Sequence, residues 1–267
     1  MNRIEVSVIH EANSNPAGMM MFLARLTQKG SSISNTDELL ELLEYSNKHY
    51  KGARRIAGLP HGTIKRFSPI TIAIVGASRR FLAQARTNQV GFTYVSASLQ
   101  YSKYHKDAAF VIPYSLMGID RGHHRKVYLE HCEASRKAYS EIMELTDNDT
   151  AGYAMAQGLR NVLIMQGNHE AWEHFIQLRT CNRNTVETQY VATLIWNALL
   201  NTEQGKTLFA YAGPYCVQGR CREGSMSCKR MLMDEKALNY MNKNLCTMPE
   251  AVAATKWPLL KEDWQDG

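Results

Sequence analysis

The 267-residue sequence predicts an α+β fold, with a small N-terminal sheet packed against a large helical half. Two short β-rich runs lie in the first third, and helix-periodic text fills most of the rest. No Pro-rich linker, composition break or internal repeat divides the chain, so residues 1–267 are expected to form one domain. The elements follow in order. "IEVSVIH" alternates like a strand. "NTDELLELLEYSNKHYKG" reads as a helix, with Asn35 as cap, Glu38 three residues on and Gly52 at its exit. "PITIAIVG" is rich in β-branched residues and reads as a strand ending at Gly76. "SRRFLAQART" restores helical spacing, placing Phe81, Leu82 and Ala85 on one face. From "GIDRGHHRKVYLEHC" through "AMAQGLRNVLIMQ" the text reads as mostly helical. "NHEAWEHFIQLRTCNRNTVETQYVATLIWNALL" continues it, with Trp172, Phe175 and Ile176 on a shared face. "KWPLLKEDWQDG" reads as a loose tail.

Lys plus Arg exceed Asp plus Glu by 31 to 25, a formal charge of +6. That surplus suits an anionic substrate or cofactor. It is too diffuse for a nucleic-acid polymer, and no run of like charges forms a basic arm. No apolar run reaches membrane-spanning length, and "MNRIEVSVIHEANSNP" reads as strand and loop, not signal peptide. A cytoplasmic location with no membrane partner is the expectation, and the six cysteines should be reduced. Three of them, Cys216, Cys221 and Cys228, stand as C-x4-C-x6-C. Thiolates so spaced can share a zinc ion, or the cysteines can pack inward from a tight loop. With no C-x-x-C pair and no histidine nearby, packing is favoured and no metal is expected.

Several common catalytic motifs are missing: the P-loop, G-x-G-x-x-G after a strand, G-x-S-x-G and H-E-x-x-H. His123 and His124 are adjacent, and neighbours on a helix diverge by about 100°, so a solvated basic turn fits them better than a metal site. Two polar segments remain. One runs from Gln84 to Tyr101, dense in amides and hydroxyls. The other is "NHEAWEHFIQLRTCNR", where Asn168 and Trp172 lie upstream of His174 and Leu178, and Arg179 and Arg183 repeat the four-residue step. A face with Asn, His and two Arg can clamp a phosphate-bearing ligand. It can equally be a solvated polar face.

Taken together, these segments resemble the flavin-dependent thymidylate synthases over nearly the whole chain. "VSVIHEANSNPAGMMMFLARLTQ" is similar to the family's opening strand, turn and first helix. "LPHGT" followed by "ITIAIVGASRRFLAQ" resembles its H-x-S/T segment, core strand and G-V-S-R-A turn. "SASLQYSKY" resembles the end of its signature, and "NHEAWEHFIQLRTCNR" resembles N-A-R-x-L-x-x-F-x-x-L-R-x-C-x-R. "LFAYAGPYCVQGRCREGSMSCKR" is similar to a tail seen in some members.

The signature itself departs from the family. Counting back from Ser98 puts Asn88-Gln89-Val90 where R-H-R, seven residues, then S would stand. Ser96 replaces a Glu and Gln100 an Arg, Gly152 falls where the family has a nucleotide-contacting Arg, and N-A-R becomes Asn168-His169-Glu170. The family's A-Q-W-E-I becomes Asn184-Thr185-Val186-Glu187-Thr188.

Residue by residue, the resemblance implies a cofactor set of His61, Thr63, Asn88, Gln89, Val90, Ser96, Asn168, His169, Glu170, His174 and Leu178. The implied nucleotide set is Gln84, Ala85, Arg86, Ser96, Ala97, Ser98, Leu99, Gln100 and Arg179. Arg179 is the catalytic candidate, because a permanently charged guanidinium can favour ionisation at N3 of a pyrimidine. The implied cofactor is FAD, with NADPH and methylenetetrahydrofolate as co-substrates, in a homotetramer whose sites draw on several subunits. Three functions stay open: C5 methylation of dUMP, the same fold modifying another pyrimidine nucleotide such as UMP, and a non-catalytic relative that binds a ligand or partner.

Overall fold

The computed structural model describes residues 4–104, 109–117, 119–209, 212–215 and 221–228. Among these, four strands form one antiparallel sheet in the order β1-β2-β4-β3, from β1 (Glu5–Glu11), β2 (Ile70–Ser78), β3 (Phe92–Ser96) and β4 (Arg160–Gly167). The first helices are α1 (Pro16–Lys29), α2 (Thr36–Lys48) and α3 (Ala53–Ala57), and α4 (Arg79–Ala85) leaves the end of β2. The long α5 (Gly122–Leu145) and short α6 (Asn148–Gly152) follow β3. After β4 come α7 (His169–Arg179), α8 (Val186–Leu200) and α9 (Gly205–Leu208). The fold is α+β, as expected.

The core forms where one face of the sheet meets α7 and α8. Ile70, Ile72 and Ile74 of β2 alternate inward, opposite Leu163 and Met165 of β4. Trp172, Phe175 and Ile176 of α7 press on them, and so do Tyr190 to Trp196 of α8, all buried. Because α8 is apolar on nearly every side, it runs through the interior. A second cluster under α5 and α6 joins Tyr139, Ala151, Met155 and Leu159. Local sequence logic holds well at α2. Asn35 Oδ1 accepts from the Glu38 amide at 3.0 Å and caps the helix, and Glu38 reaches back to accept from the Ser34 amide at 2.7 Å, one residue before the cap.

Several expectations need correction. Residues 154–166 are not helical, since Arg160–Gly167 is the central strand β4. Its burial alternates with period two, and it pairs with both β2 and β3. The sheet is therefore not confined to the N-terminal part. β3 lies inside the polar segment that the sequence reading left without an element. Helix α2 ends at Lys48, well before Gly52. β2 does not stop at Gly76: a bulge between Val75 and Ala77 absorbs this glycine at φ 90°, and the strand runs on to Ser78. The text after Asn168 is two helices, broken between Arg179 and Val186. Arg183 thus lies beyond α7 and does not extend its face. The tail "KWPLLKEDWQDG" and Cys216 lie outside the described residues.

Candidate functional site

The site grows from the end of β2. Ser78 caps α4, its hydroxyl accepting from the Phe81 amide at 3.1 Å. The same serine donates its amide (2.7 Å) and hydroxyl (2.5 Å) to the Glu187 carboxylate, tying the start of α4 to the start of α8. Burial pushes the Glu187 carboxyl above its ordinary range, against the pull of the Ser78 bonds. Sequence reasoning passed over this residue, although the Glu is common to the family string A-Q-W-E-I and to the one here. One helical turn further along α4, Gln84 Oε1 accepts from Thr185 (3.1 Å) and Thr188 (2.5 Å).

Arg179, at the end of α7, joins the two polar segments. Its Nη2 donates to Thr87 Oγ1 at 2.6 Å and to the Gln84 carbonyl at 3.3 Å, and its Nη1 to Asn184 Oδ1 at 3.2 Å. Its Nε is buried and has no partner among the described residues. Burial lowers its pKa, yet a guanidinium stays charged at neutral pH. Tyr94, from β3, donates toward the Ala85 carbonyl at 3.0 Å and the Asn88 carbonyl. Burial pushes its hydroxyl to about 12. Asn88 itself donates to the Ala85 carbonyl at 3.0 Å, closing the C-terminal end of α4. Gln89 and Val90 stand exposed, Val90 by 91%.

Cations gather beside this loop. Arg86 Nη2 donates to Ser96 Oγ at 2.7 Å. Arg79 is depressed by burial and feels both Tyr104 and Arg86, and its buried Nη1 has no partner among the described residues. Residues 97–102 run past this pair. Ser98 Oγ accepts from the Gln100 amide at 3.0 Å, and the Ala97 carbonyl accepts from Asn161 at 3.1 Å. Asn148 donates to the Gln100 and Ser102 carbonyls, both at 2.9 Å. Leu99 lies over Gly152, where a Cβ would sit 3.1 Å from its own. A side chain at Gly152 would press on Leu99, so the glycine keeps α6 close to this segment.

The second segment opens with Asn168, whose Oδ1 accepts from the Ala171 amide at 2.9 Å and caps α7. His169 faces the core, its Nε2 held by the Leu208 carbonyl at 2.8 Å. Glu170 binds Arg66 at 2.5 Å, and Glu173 binds the buried Lys65 at 2.7 Å. Both cations sit on the turn that also carries the exposed His61 and Thr63, so this turn stands beside the first half of α7. His174 is further along, its Nδ1 3.0 Å from the Tyr215 hydroxyl. His123 and His124 open α5, exposed. The structure therefore unites Gln84, Ala85, Arg86, Asn88, Ser96 and Arg179, and separately Asn168, Glu170, His61 and Thr63.

His169 carries a pH prediction. Burial lowers its pKa from 6.5 to about 4, so between those values the unfolded chain binds a proton that the folded protein refuses. Stability should be intact above about pH 6.5 and fall by up to about 3 kcal/mol as pH drops toward 4. Urea midpoints measured across this window should fall for the wild type and fall less for His169→Gln.

The family model described as thymidylate synthase complementing protein matches residues 8–202, from β1 through α8. The chain belongs to the thymidylate synthase complementing protein family. Among its relatives in this family, the flavin-dependent thymidylate synthase of Geobacter sulfurreducens is 26% identical over 218 residues, covering 80% of this chain and 89% of its own. The flavin-dependent thymidylate synthase of Thermococcus onnurineus is 27% identical over 186 residues, covering 64% and 72%. Two solved structures share the fold of this family member. Thymidylate synthase X from Helicobacter pylori with FAD and dUMP superposes with a TM-score of 0.55 at 18% identity, covering 77% of this chain and 97% of its own. A UMP/dUMP methylase from Streptomyces cacaoi bound with 5-Br dUMP gives 0.59 at 16%, covering 78% and 96%. The cysteine-bearing segment after residue 202 lies beyond the matched family region.

Proposed function

We propose that the protein is a flavin-dependent methyltransferase acting at C5 of a uridine nucleotide, dUMP by default. FAD is its cofactor, methylenetetrahydrofolate its carbon donor and NADPH its reductant. The observation that carries this reading is Arg179, which bridges the two polar segments through Thr87 and Gln84 and keeps a buried Nε with no partner among the described residues. Such a nitrogen suits an anionic or carbonyl oxygen from a ligand. The donor set fits a phosphorylated nucleotide, with Arg86 on Ser96 and Arg79 near enough to feel Arg86 at the phosphate end. The flavin supplies the hydride chemistry when bound. Arg179 stabilises the negative charge that develops on the pyrimidine ring, and the 61–66 turn with Asn168 and His174 orients the cofactor.

UMP is the second reading. Asn88 is spent on closing α4 and Val90 points to solvent, so neither stands in for the contacts of the family's R-H-R. The methylase of the Streptomyces neighbour is named for both nucleotides. A homotetramer in the cytoplasm, formed from one domain per chain, completes the proposal.

The test is incubation with FAD, NADPH and methylenetetrahydrofolate plus either dUMP or UMP, followed by mass spectrometry of the nucleotide. Methylation of one of them is the expected result. No methylated product from either would leave a non-catalytic binding protein as the account.

A further inference from the structure

We propose that Tyr215 and Arg222 complete the cofactor side of the site, Tyr215 orienting the His174 imidazole and Arg222 taking a phosphate of the bound dinucleotide. This rests on the flavin reading above and extends it to residues beyond the matched family region, which ends at 202.

Two contacts chain Arg222 to α7 through Tyr215. The Tyr215 hydroxyl lies 3.0 Å from His174 Nδ1, and the Arg222 guanidinium carbon sits 3.9 Å from the centre of the Tyr215 ring. Cys221 Sγ, next to Arg222, donates to Ser227 Oγ at 3.4 Å, folding this stretch back on itself. Burial is the main cause that raises the Cys181 thiol, and the thiols of Cys221 and Cys228 add to it, so the stretch also borders the turn after α7.

Neutral imidazole has one donor and one acceptor nitrogen. Burial lowers the His174 pKa first, then Arg222 and Arg179, so the ring favours its neutral form. With Tyr215 donating to Nδ1, the proton rests on Nε2, which becomes a donor for a ligand. A guanidinium stacked on an aromatic ring keeps all its donors and loses less freedom on binding an anion. Arg222 is exposed and has no carboxylate partner among the described residues. The two cations of the neighbouring turn differ, since Lys65 and Arg66 are already neutralised by Glu173 and Glu170. On this flank of α7 a second negative group therefore finds its counter-charge at Arg222.

The experiment titrates the full-length protein with FAD and, separately, with riboflavin, which has the same ring system and no phosphate. Flavin fluorescence is the readout. Arg222→Gln should weaken FAD by roughly 10-fold or more and leave riboflavin within about 2-fold of wild type. Arg222→Lys should recover part of the loss. Tyr215→Phe should weaken both flavins and shift the His174 ring-nitrogen NMR signals away from the Nε2–H tautomer. Wild-type affinity for FAD in Arg222→Gln, with FAD bound by the parent, would overturn the inference and leave the flavin reading standing. Equal loss of FAD and riboflavin in that variant would also overturn it. A parent protein that binds neither flavin would overturn both readings.

Discussion

Replacing Arg179 with lysine is expected to lower turnover by about 10²–10³-fold while the protein stays folded, the usual scale for removing one preorganised donor at a developing charge. Lysine keeps the charge but not the fork. It cannot reach Thr87 and Asn184 together as Nη2 and Nη1 do, nor present the third donor at Nε. The loss should fall on kcat more than on KM, since in the proposed reaction the charge on the pyrimidine develops after binding. Circular dichroism and flavin binding should match the parent. Turnover within a few-fold of wild type would remove Arg179 from the chemistry and reduce it to a strut between α4 and α7.

Trp172→Ala carries the largest expected cost in stability, about 3–5 kcal/mol. The side chain is fully buried and meets the Phe92 ring edge-on at a centroid distance of 4.8 Å. Its Nε1 donates to the Ile70 carbonyl at 3.1 Å, so the truncation removes that bond as well as leaving a cavity. Because this tryptophan docks α7 on the sheet, the variant should also lose ligand affinity at the residues α7 presents. Denaturant unfolding would check the first effect, and a midpoint shift worth less than about 1 kcal/mol would show that the site relaxes around the loss.

What could be read from the sequence follows from how local each cause is. The Asn35 cap, with Glu38 three residues on, is complete within a few residues, and it formed as read. The apolar triad Trp172, Phe175 and Ile176 was equally plain, because a single helix face dictates it. Strand β4 was missed since "NVLIMQG" sits between helical stretches, and a short apolar run suits a buried strand or a buried helix alike. The break between α7 and α8 carries no Gly or Pro: "TCNRNT" turns because Asn184 donates to the Leu178 carbonyl at 2.7 Å and the Cys181 carbonyl at 3.1 Å, bonds that composition does not announce.

At the site, Arg179 stood out through the motif around it. Its partner Thr87 did not, and Gln84 was read as a nucleotide contact and not as a partner of Arg179, because the pairing joins two elements far apart in sequence. The same holds for Arg66 with Glu170 and for Tyr215 with His174. His169 was read toward the cofactor from its place beside Asn168. The first turn of α7 instead sends it inward to Leu208, while Asn168 remains at the helix end.

The most direct test of the central claim is the visible absorption spectrum of the purified protein, recorded alone, with FAD, and then with dUMP or UMP. Flavin bands that are present or develop with FAD, and that shift when one of the two nucleotides is added, are the predicted result. FAD that neither accompanies the protein nor binds to it, with no response to either nucleotide, would contradict the account.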